Sequence, residues 1–333
     1  MAETNLKVVL ASRPDGKPST ANFRIEAGPL PEPADGEVLV RNQWLSIDPY
    51  MRGRMMDIRT YAEPVALGDV MVGDTAGIVV ASRHADFAVG DAVAGPLGWQ
   101  RYGTQPGQAL RHVDTARVPL SAGLGVAGMP GVTAWVGLMD LCAPQAGETV
   151  VVTAASGGVG GVAGQLARIA GCRVVGVAGG PDKCRHVVED LGFDACLDYR
   201  AEDFRQQLKV AVPQGIDCIF DNVGGAVLDA LVGRLNPFSR VTLCGAISEV
   251  DNPSPIGLRR LLPLIVNRVK LQGFIVGDHP ARWPVAIDAL SGHVAAGRIH
   301  YRETIADGLE NAPQALLDLL AGRSLGKQLV RIA

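Results

Sequence analysis

The stretch from Thr149 to Lys183, TVVVTAASGGVGGVAGQLARIAGCRVVGVAGGPDK, leaves this chain few choices of architecture. Thr149 to Ala154 is short, β-branched and apolar on both faces, as a strand buried inside a parallel sheet has to be. Gly157, Gly158, Gly160 and Gly161 then supply a sharp turn and remove the Cβ atoms that would hold a bulky anion away from the backbone. From Gly158 to Ala170, Val159, Val162, Ala163, Leu166 and Ile169 recur at helical spacing. A helix therefore starts inside the glycine run and aims its N–H groups and positive dipole end at the turn. Gly171 stops the helix, and Arg173 to Ala178 form a second buried strand. Taken alone, the A-x-G-x-x-G spacing of Ala155, Gly157 and Gly160 also fits a ligand-free corner. Strand before, helix after and second strand beyond make it a dinucleotide pyrophosphate site, lined by Ala155, Ser156, Gly157, Gly158, Val159 and Gly160.

The residues just past the second strand bear on which dinucleotide binds. NAD sites place an Asp or Glu about twenty residues past the first glycine, where it accepts ribose hydroxyls. Here that place holds Gly179 and Gly180, then Pro181, Asp182, Lys183 and Arg185. Small residues with a cation behind them suit a 2′-phosphate, which Lys183 can meet as a point charge, so NADP is favoured. The alternative is a solvated Lys183 in the first turn of the next helix.

A chain of 333 residues suggests two domains, because one core seldom grows past about 250–300 residues. Glycine accounts for 41 residues, an excess over the average of about 7% that suits a turn-rich α/β enzyme. The net charge of -3 gives no electrostatic footprint for nucleic acid or an anionic membrane. No run of eighteen apolar residues occurs, and Leu6 to Ala11 is too short for a signal-peptide core, so a cytoplasmic protein is expected. The cysteines Cys142, Cys172, Cys184, Cys196, Cys218 and Cys244 form no C-x-x-C pair and read as reduced thiols. Cys172, Cys196, Cys218 and Cys244 lie in or beside apolar runs, as small buried hydrophobes do. The first 141 residues lack cysteine, which excludes a cysteine-ligated zinc there.

From Leu6 to about Gly125, short strands broken by Gly and Pro predict a mostly antiparallel β domain. Within it, DPYMRGRMMDIRTYAEPVALGDVMVG concentrates Met, Arg and Tyr. Met51, Met55 and Met56 either fill core gaps or, with Tyr50 and Tyr61, line a substrate cleft. A helix at Met129 to Leu141 opens the second domain. Beyond the glycine unit come helix Asp182 to Leu191, strand Ala195 to Asp198, helix Glu202 to Val212 and strand Asp217 to Asp221. Helix Ala226 to Leu235, strand Arg240 to Cys244, helix Ile256 to Val266 and strand Leu271 to Val276 complete a doubly wound parallel sheet. Asn222 and the Gly245-Ala246-Ile247 segment leave their strands at the carboxyl edge, where such sheets bind ligands. The terminal KQLVRIA is a strand that returns to the first domain, giving 1–126 plus 302–333 around 127–301.

Several segments together carry a resemblance: NQWLSIDPYMRGRM, GMPGVTAW, VVVTAASGGVG, GCRVVGVAGGPDKC, IFDNVGG, LCGAIS, LQGFIV and ENAPQALLDLLAGRSLGK. The chain resembles the zinc-free medium-chain dehydrogenase/reductases, more narrowly the leukotriene B4 12-hydroxydehydrogenase, prostaglandin reductase and alkenal reductase group. The resemblance implies an α/β fold in which a Rossmann domain interrupts a GroES-like domain. It implies a homodimer and NADPH-dependent reduction of the carbon–carbon double bond of enones and enals. By the same resemblance Lys183 and Tyr199 match positions at the adenosine 2′-phosphate and ribose, and Asn222 and Phe274, Ile275 and Val276 positions beside the nicotinamide. Tyr50 matches a tyrosine near the substrate carbonyl. Two departures stand out: Val250 occupies the place of a tyrosine that usually comes after C-G-A-I-S, and Ser324 replaces the asparagine of G-x-N-x-G-K. Val250 then belongs to the substrate pocket and Ser324 to the cofactor side.

Zinc relatives of this fold need a cysteine and a G-H-E segment, whereas the corresponding region here reads Gly68-Asp69-Val70 and Gly73-Asp74-Thr75. His84 and His112 sit in loop-like contexts and His186 on an exposed helix face; none is assigned chemistry. Conjugate reduction needs no metal, only hydrogen-bond donors for the enolate oxygen, with Tyr50 and the cofactor's ribose hydroxyl as candidates. Tyr50 could instead be an aromatic packed beside the Asp-Pro turn. A quinone reductase on the same scaffold and an NADPH-binding protein without turnover stay open, and the loops Met55 to Val65 and Ile247 to Ile256 shape the pocket.

Overall fold

The computed structural model describes residues 4–58, 60–252 and 254–332. Arg59 and Pro253, in the two loops expected to shape the pocket, and Ala333, where the strand expected to return was to end, lie outside the described residues. The chain divides into two units, Val126–Arg302 forming one and the residues up to Gly125 with those from Glu303 onward forming the other.

In the Val126–Arg302 unit, the strands are Thr149–Thr153 (β1), Arg173–Ala178 (β2), Ala195–Asp198 (β3), Ile216–Asp221 (β4), Leu235–Leu243 (β5) and Lys270–Gly273 (β6). Among the described residues they form one parallel sheet in the order β3-β2-β1-β4-β5-β6. The helices Gly160–Ile169 (α1), Pro181–Glu189 (α2), Phe204–Ala211 (α3), Gly225–Val232 (α4), Leu262–Val266 (α5) and Trp283–Ala295 (α6) come after the strands in turn. The order reverses between β1 and β4, which opens a crevice at their carboxyl ends. Every residue of β1 is buried, which is why its sequence shows no polar alternation. Val151, Val175, Val177, Ile219 and Val241 join Phe204, Leu208, Leu228 and Leu231 in one core, where each fully buried valine is worth about 1.5–3 kcal/mol.

Several elements differ from the sequence pattern, and β5 is one: it begins at Leu235, ahead of the expected Arg240, and the helix before it stops at Val232. Helix Ile256 to Val266 shrinks to Leu262–Val266, with Pro263 in the first turn, where a missing N–H breaks no intrahelical bond. Strand Leu271 to Val276 ends at Gly273, and Phe274 to Val276 leave the sheet. Helix α6 has no counterpart among the expected elements; its apolar residues are spread around its circumference instead of forming one stripe. It packs on helix Met129–Trp135, where a Cβ on Gly131 would lie 3.0 Å from Leu290.

In the other unit, Glu37–Ser46 pairs antiparallel with Thr75–Ser82, Tyr102–Pro106 and the returning strand Lys327–Arg331. Glu303–Asp307 pairs parallel with Lys327–Arg331, the exception in a mostly antiparallel sheet. Met51, Met55, Met71, Trp99 and Leu45 fill its core, and Phe23 stacks on Trp99 with ring centroids 5.5 Å apart.

Close packing of α1 against the segment that leads into β3 depends on glycine. A Cβ on Gly164 of α1 would fall 1.9 Å from the Phe193 ring. Gly164→Ala is therefore expected to cost about 1–3 kcal/mol through overpacking, read as a lower midpoint in urea denaturation; an unchanged midpoint would contradict this packing.

Candidate active site

The turn after β1 is built by backbone contact. Ala154 adopts φ 48°, the Gly157 amide donates to the Ala154 carbonyl at 2.9 Å, and the Gly161 amide to the Gly157 carbonyl at 2.9 Å. A Cβ on Gly160 would lie 2.4 Å from the Ala154 carbonyl oxygen, so only glycine lets α1 start this close to the strand. Helix α1 begins at Gly160, two residues later than the spacing suggests, and its first-turn amides face the crevice at the switch point. Ala155 is a correction: it is fully buried, and its amide donates to the Val177 carbonyl at 3.1 Å, so it builds the turn and does not line it. Ser156 is also buried, which leaves Gly157 to Gly160 as the lining suited to a pyrophosphate.

Asp221, at the end of β4, ties the carboxyl edge together. Its fully buried carboxylate accepts from the Thr153 hydroxyl at 2.7 Å and from the Gly224 amide at 2.7 Å. Burial pushes its pKa up, opposed by those hydrogen bonds. The same Thr153 hydroxyl accepts the Asn222 amide at 2.8 Å, and the Asn222 side-chain nitrogen donates to the Thr153 carbonyl at 2.8 Å. The side-chain oxygen of Asn222 is thereby turned away from β1. The Cys244 amide donates to the Asp221 carbonyl at 2.7 Å, which brings Gly245 and Ile247 alongside Asn222, and a Cβ on Gly245 would sit 3.2 Å from the Asn222 carbonyl oxygen. Beyond β6, the Phe274 ring packs where a Cβ on Gly137 would be, 2.8 Å away, so Phe274 offers the edge its backbone. Ile275 and Val276 come next, and the Val276 carbonyl accepts the Trp283 indole N–H at 3.4 Å.

At the other end of the crevice, after β2 and β3, two backbone amides converge on Asp198: Gly180 at 2.9 Å and Arg200 at 3.0 Å. This lays Gly179 against Tyr199, where a Cβ would meet the ring at 2.8 Å and the Arg200 guanidinium at 3.1 Å. Lys183 is half-buried, and burial followed by the Arg200 charge lowers its pKa. Two cations held this close repel, and a phosphate dianion between them would relieve the repulsion. Sequence reasoning misses Arg200 because it lies after the third strand, outside the window past the second strand in which nucleotide selectivity is sought. Its one signal is its place directly after Tyr199.

The remaining site candidates, Val250 apart, belong to the other unit. Tyr50 opens the short helix Tyr50–Arg54 and is half-buried. Burial pushes its phenol well above the ordinary range, with Asp48 and then Asp74 adding to the effect. Asp48 is held by Lys327 at 2.5 Å and by the Ser46 hydroxyl, and Lys327 also donates to the Ile47 carbonyl at 2.8 Å. The returning strand thus pins the residues just before Tyr50. Tyr61 is exposed and close enough to Tyr50 to raise its pKa further. Met55 is a second correction: with no exposed surface it belongs to the core beside Met51, not to a cleft wall. Val250 is partly exposed after the 3-10 turn Ile247–Glu249, and Ser324 is buried in the loop before Lys327. His186 is a third correction, buried within α2 and bonded to Asp190 at 2.6 Å, because the side of α2 facing the sheet includes it. Among the described residues, no three His, Cys, Asp or Glu side chains cluster as metal ligands.

Residues 7–113 match the family model described as N-terminal domain of oxidoreductase, and residues 158–292 match the one described as zinc-binding dehydrogenase. The NADPH-dependent curcumin reductase of Escherichia coli K12 is 47% identical over 99% of this chain and 98% of its own length. This chain belongs to the zinc-free medium-chain dehydrogenase/reductases. The NADP-dependent 2-alkenal reductase of Nicotiana tabacum is 39% identical over the whole chain and 99% of its own length. The crystal structure of CurA from Vibrio vulnificus in complex with NADPH, 44% identical, superposes with a TM-score of 0.92 over 98% of this chain and 99% of that one. The fold is accordingly a Rossmann sheet inserted in a GroES-like domain.

Proposed function

We propose that this chain is an NADPH-dependent reductase of the carbon–carbon double bond of α,β-unsaturated ketones and aldehydes. Full-length similarity to the curcumin and alkenal reductases carries the reading. The Gly157 to Gly160 turn, too close to Ala154 for any side chain at Gly160, fits the cofactor's pyrophosphate. Lys183, Tyr199 and Arg200 would hold its 2′-phosphate, and Gly179 lets the ribose approach. Asn222, Gly245, Ile247 and the Phe274 to Val276 backbone are assigned to the nicotinamide side, and Ser324 to a further polar contact. The Rossmann unit then carries the cofactor; Tyr50 and Tyr61 of the GroES-like unit and, separately, Val250 of the Ile247 loop are assigned to substrate binding. Free thiols at all six cysteines suit a cytoplasmic, reducing setting.

When bound, NADPH supplies a hydride to the substrate's β-carbon, and charge moves onto the carbonyl oxygen. Tyr50 donates a hydrogen bond to that oxygen. Buried beside Asp48 and Asp74, its phenol stays protonated across the physiological range, which suits a hydrogen-bond donor better than a proton source. Water supplies the α-carbon proton, because Val250 stands where a tyrosine would be.

The charges at Lys183 and Arg200 make the cofactor choice testable. Replacing either with Ala is expected to raise the Kd for NADPH about tenfold or more, the worth of one charge-assisted contact, and to leave NADH binding nearly unmoved. Equal losses for both cofactors would overturn the assignment. Tyr50→Phe is expected to slow enone reduction by roughly tenfold, with no acid-dependent limb between about pH 6 and 8. A loss beyond about 10³-fold in a variant that still binds NADPH would make Tyr50 the proton donor.

A homodimer joined through the Rossmann units is part of the proposal. The edge strand β6 and the helix before it expose Leu262, Ile265, Val266 and Leu271, together with Leu261 and Phe238. Unpaired edge strands and apolar patches of this kind are covered in soluble proteins. Light scattering at micromolar concentration should return twice the chain mass; a monomer contradicts the dimer and leaves the chemistry untouched.

A further inference from the structure

The Cys184 and Cys196 thiols lie 3.1 Å apart, sulfur to sulfur, one on α2 and the other on β3. Both residues are half-buried, unlike the buried Cys142, Cys172 and Cys218. Cys184 directly follows Lys183, and β3 runs from Cys196 into Asp198, Tyr199 and Arg200. The pair therefore spans the two segments that bracket the crevice's adenosine end, and the Asp198 carboxylate already couples them by accepting the Gly180 amide from the start of α2.

We propose that Cys184 and Cys196 form a dithiol modification site for hydroperoxides, closing to a disulfide that weakens NADPH binding. The Cys196 thiol donates its hydrogen bond to Cys184. That bond lowers the Cys184 pKa against the opposing effect of burial, which makes Cys184 the attacking sulfur. Its thiolate attacks one peroxide oxygen, the O–O bond breaks, and the departing oxygen takes a proton to leave as water or an alcohol. The resulting Cys184 sulfenic acid is attacked by the Cys196 sulfur; the S–S bond forms, and the sulfenic oxygen leaves as water with the Cys196 proton. Two electrons pass from the two sulfurs to the peroxide, and the balance closes as two thiols plus one hydroperoxide to one disulfide, one alcohol or water, and one water.

Bond formation shortens the sulfur separation from 3.1 Å to about 2.05 Å, which rotation of the two side chains and a shift of α2 against β3 together supply. That displacement falls on the first turn of α2, where Lys183 stands. The chain holds its own comparison: Cys142 and Cys218 are fully buried, and the Cys142 sulfur is engaged with the Thr242 hydroxyl at 2.9 Å. They should resist the same oxidant.

The coupling to NADPH rests on the reading of Lys183, Tyr199 and Arg200 as the 2′-phosphate site. The full-length reduced protein is treated with hydrogen peroxide, its free thiols are counted, and its peptides are mapped by mass. The expected result is the loss of two thiols, a peptide cross-linked between Cys184 and Cys196, recovery with dithiothreitol, and a rise of about tenfold in the Kd for NADPH measured by fluorescence titration. Cys196→Ser should bind NADPH as the reduced protein does, and peroxide should neither cross-link it nor change its Kd. If peroxide consumes other thiols first, or no 184–196 cross-link forms, the site is overturned. A cross-link with unchanged NADPH affinity overturns the coupling. In that case an undiminished affinity in reduced Lys183→Ala would trace the failure to the 2′-phosphate reading, and a diminished one would trace it to the disulfide's local effect.

Discussion

Asp221 is the group on which the ligand edge of the Rossmann unit depends. A carboxylate with no exposed surface is tolerable only when its oxygens are satisfied, and here the Thr153 hydroxyl and the Gly224 amide satisfy them. Those bonds run from the end of β4 to the end of β1 and to the start of α4. One buried carboxylate therefore registers the glycine turn after β1 against the Asn222 loop after β4. Through its own carbonyl, the same residue receives Cys244 and sets the loop after β5. Three loops that are distant in sequence acquire a fixed geometry from one residue, which is the preorganisation a hydride site needs.

A comparable device works in the GroES-like unit. Lys327 and Asp48 are both buried, and such a pair holds together only where further hydrogen bonds share the cost of desolvation. The Ile47 carbonyl and the Ser46 hydroxyl provide them. The C-terminal strand is thereby locked against the segment that carries Tyr50, and burial beside Asp48 and Asp74 keeps the phenol protonated. Position and protonation state of the proposed oxyanion donor are set within one network.

Much of this is legible along the chain because local physics dictates it. A strand buried on both faces has to be a continuous β-branched run, and β2 and β3 begin and end where their sequences indicate. The glycine turn is legible because only glycine allows the approach of α1 to Ala154. Sequence and structure part where burial overrides local pattern. Met55 reads along the chain as either a core filler or a cleft residue, and the fold turns it inward onto Met51. His186 reads as exposed on a polar helix, and α6 shows no clean stripe, since apolar Val285 stands exposed while Ala286 and Leu290 are buried.

By itself the sequence determined the parallel-sheet architecture, the glycine turn after β1 and the glycine pair Gly179-Gly180 where NAD sites carry an acid. These rest on backbone sterics and side-chain period within some thirty residues. Only the tertiary structure decided which charges meet. Arg200 joins Lys183 because β3 lies beside β2, and Cys196 faces Cys184 because α2 packs over that same strand. Lys327 reaches Asp48 across 279 residues of chain. Long-range pairing is set by strand order and helix packing, which no local window of residues encodes.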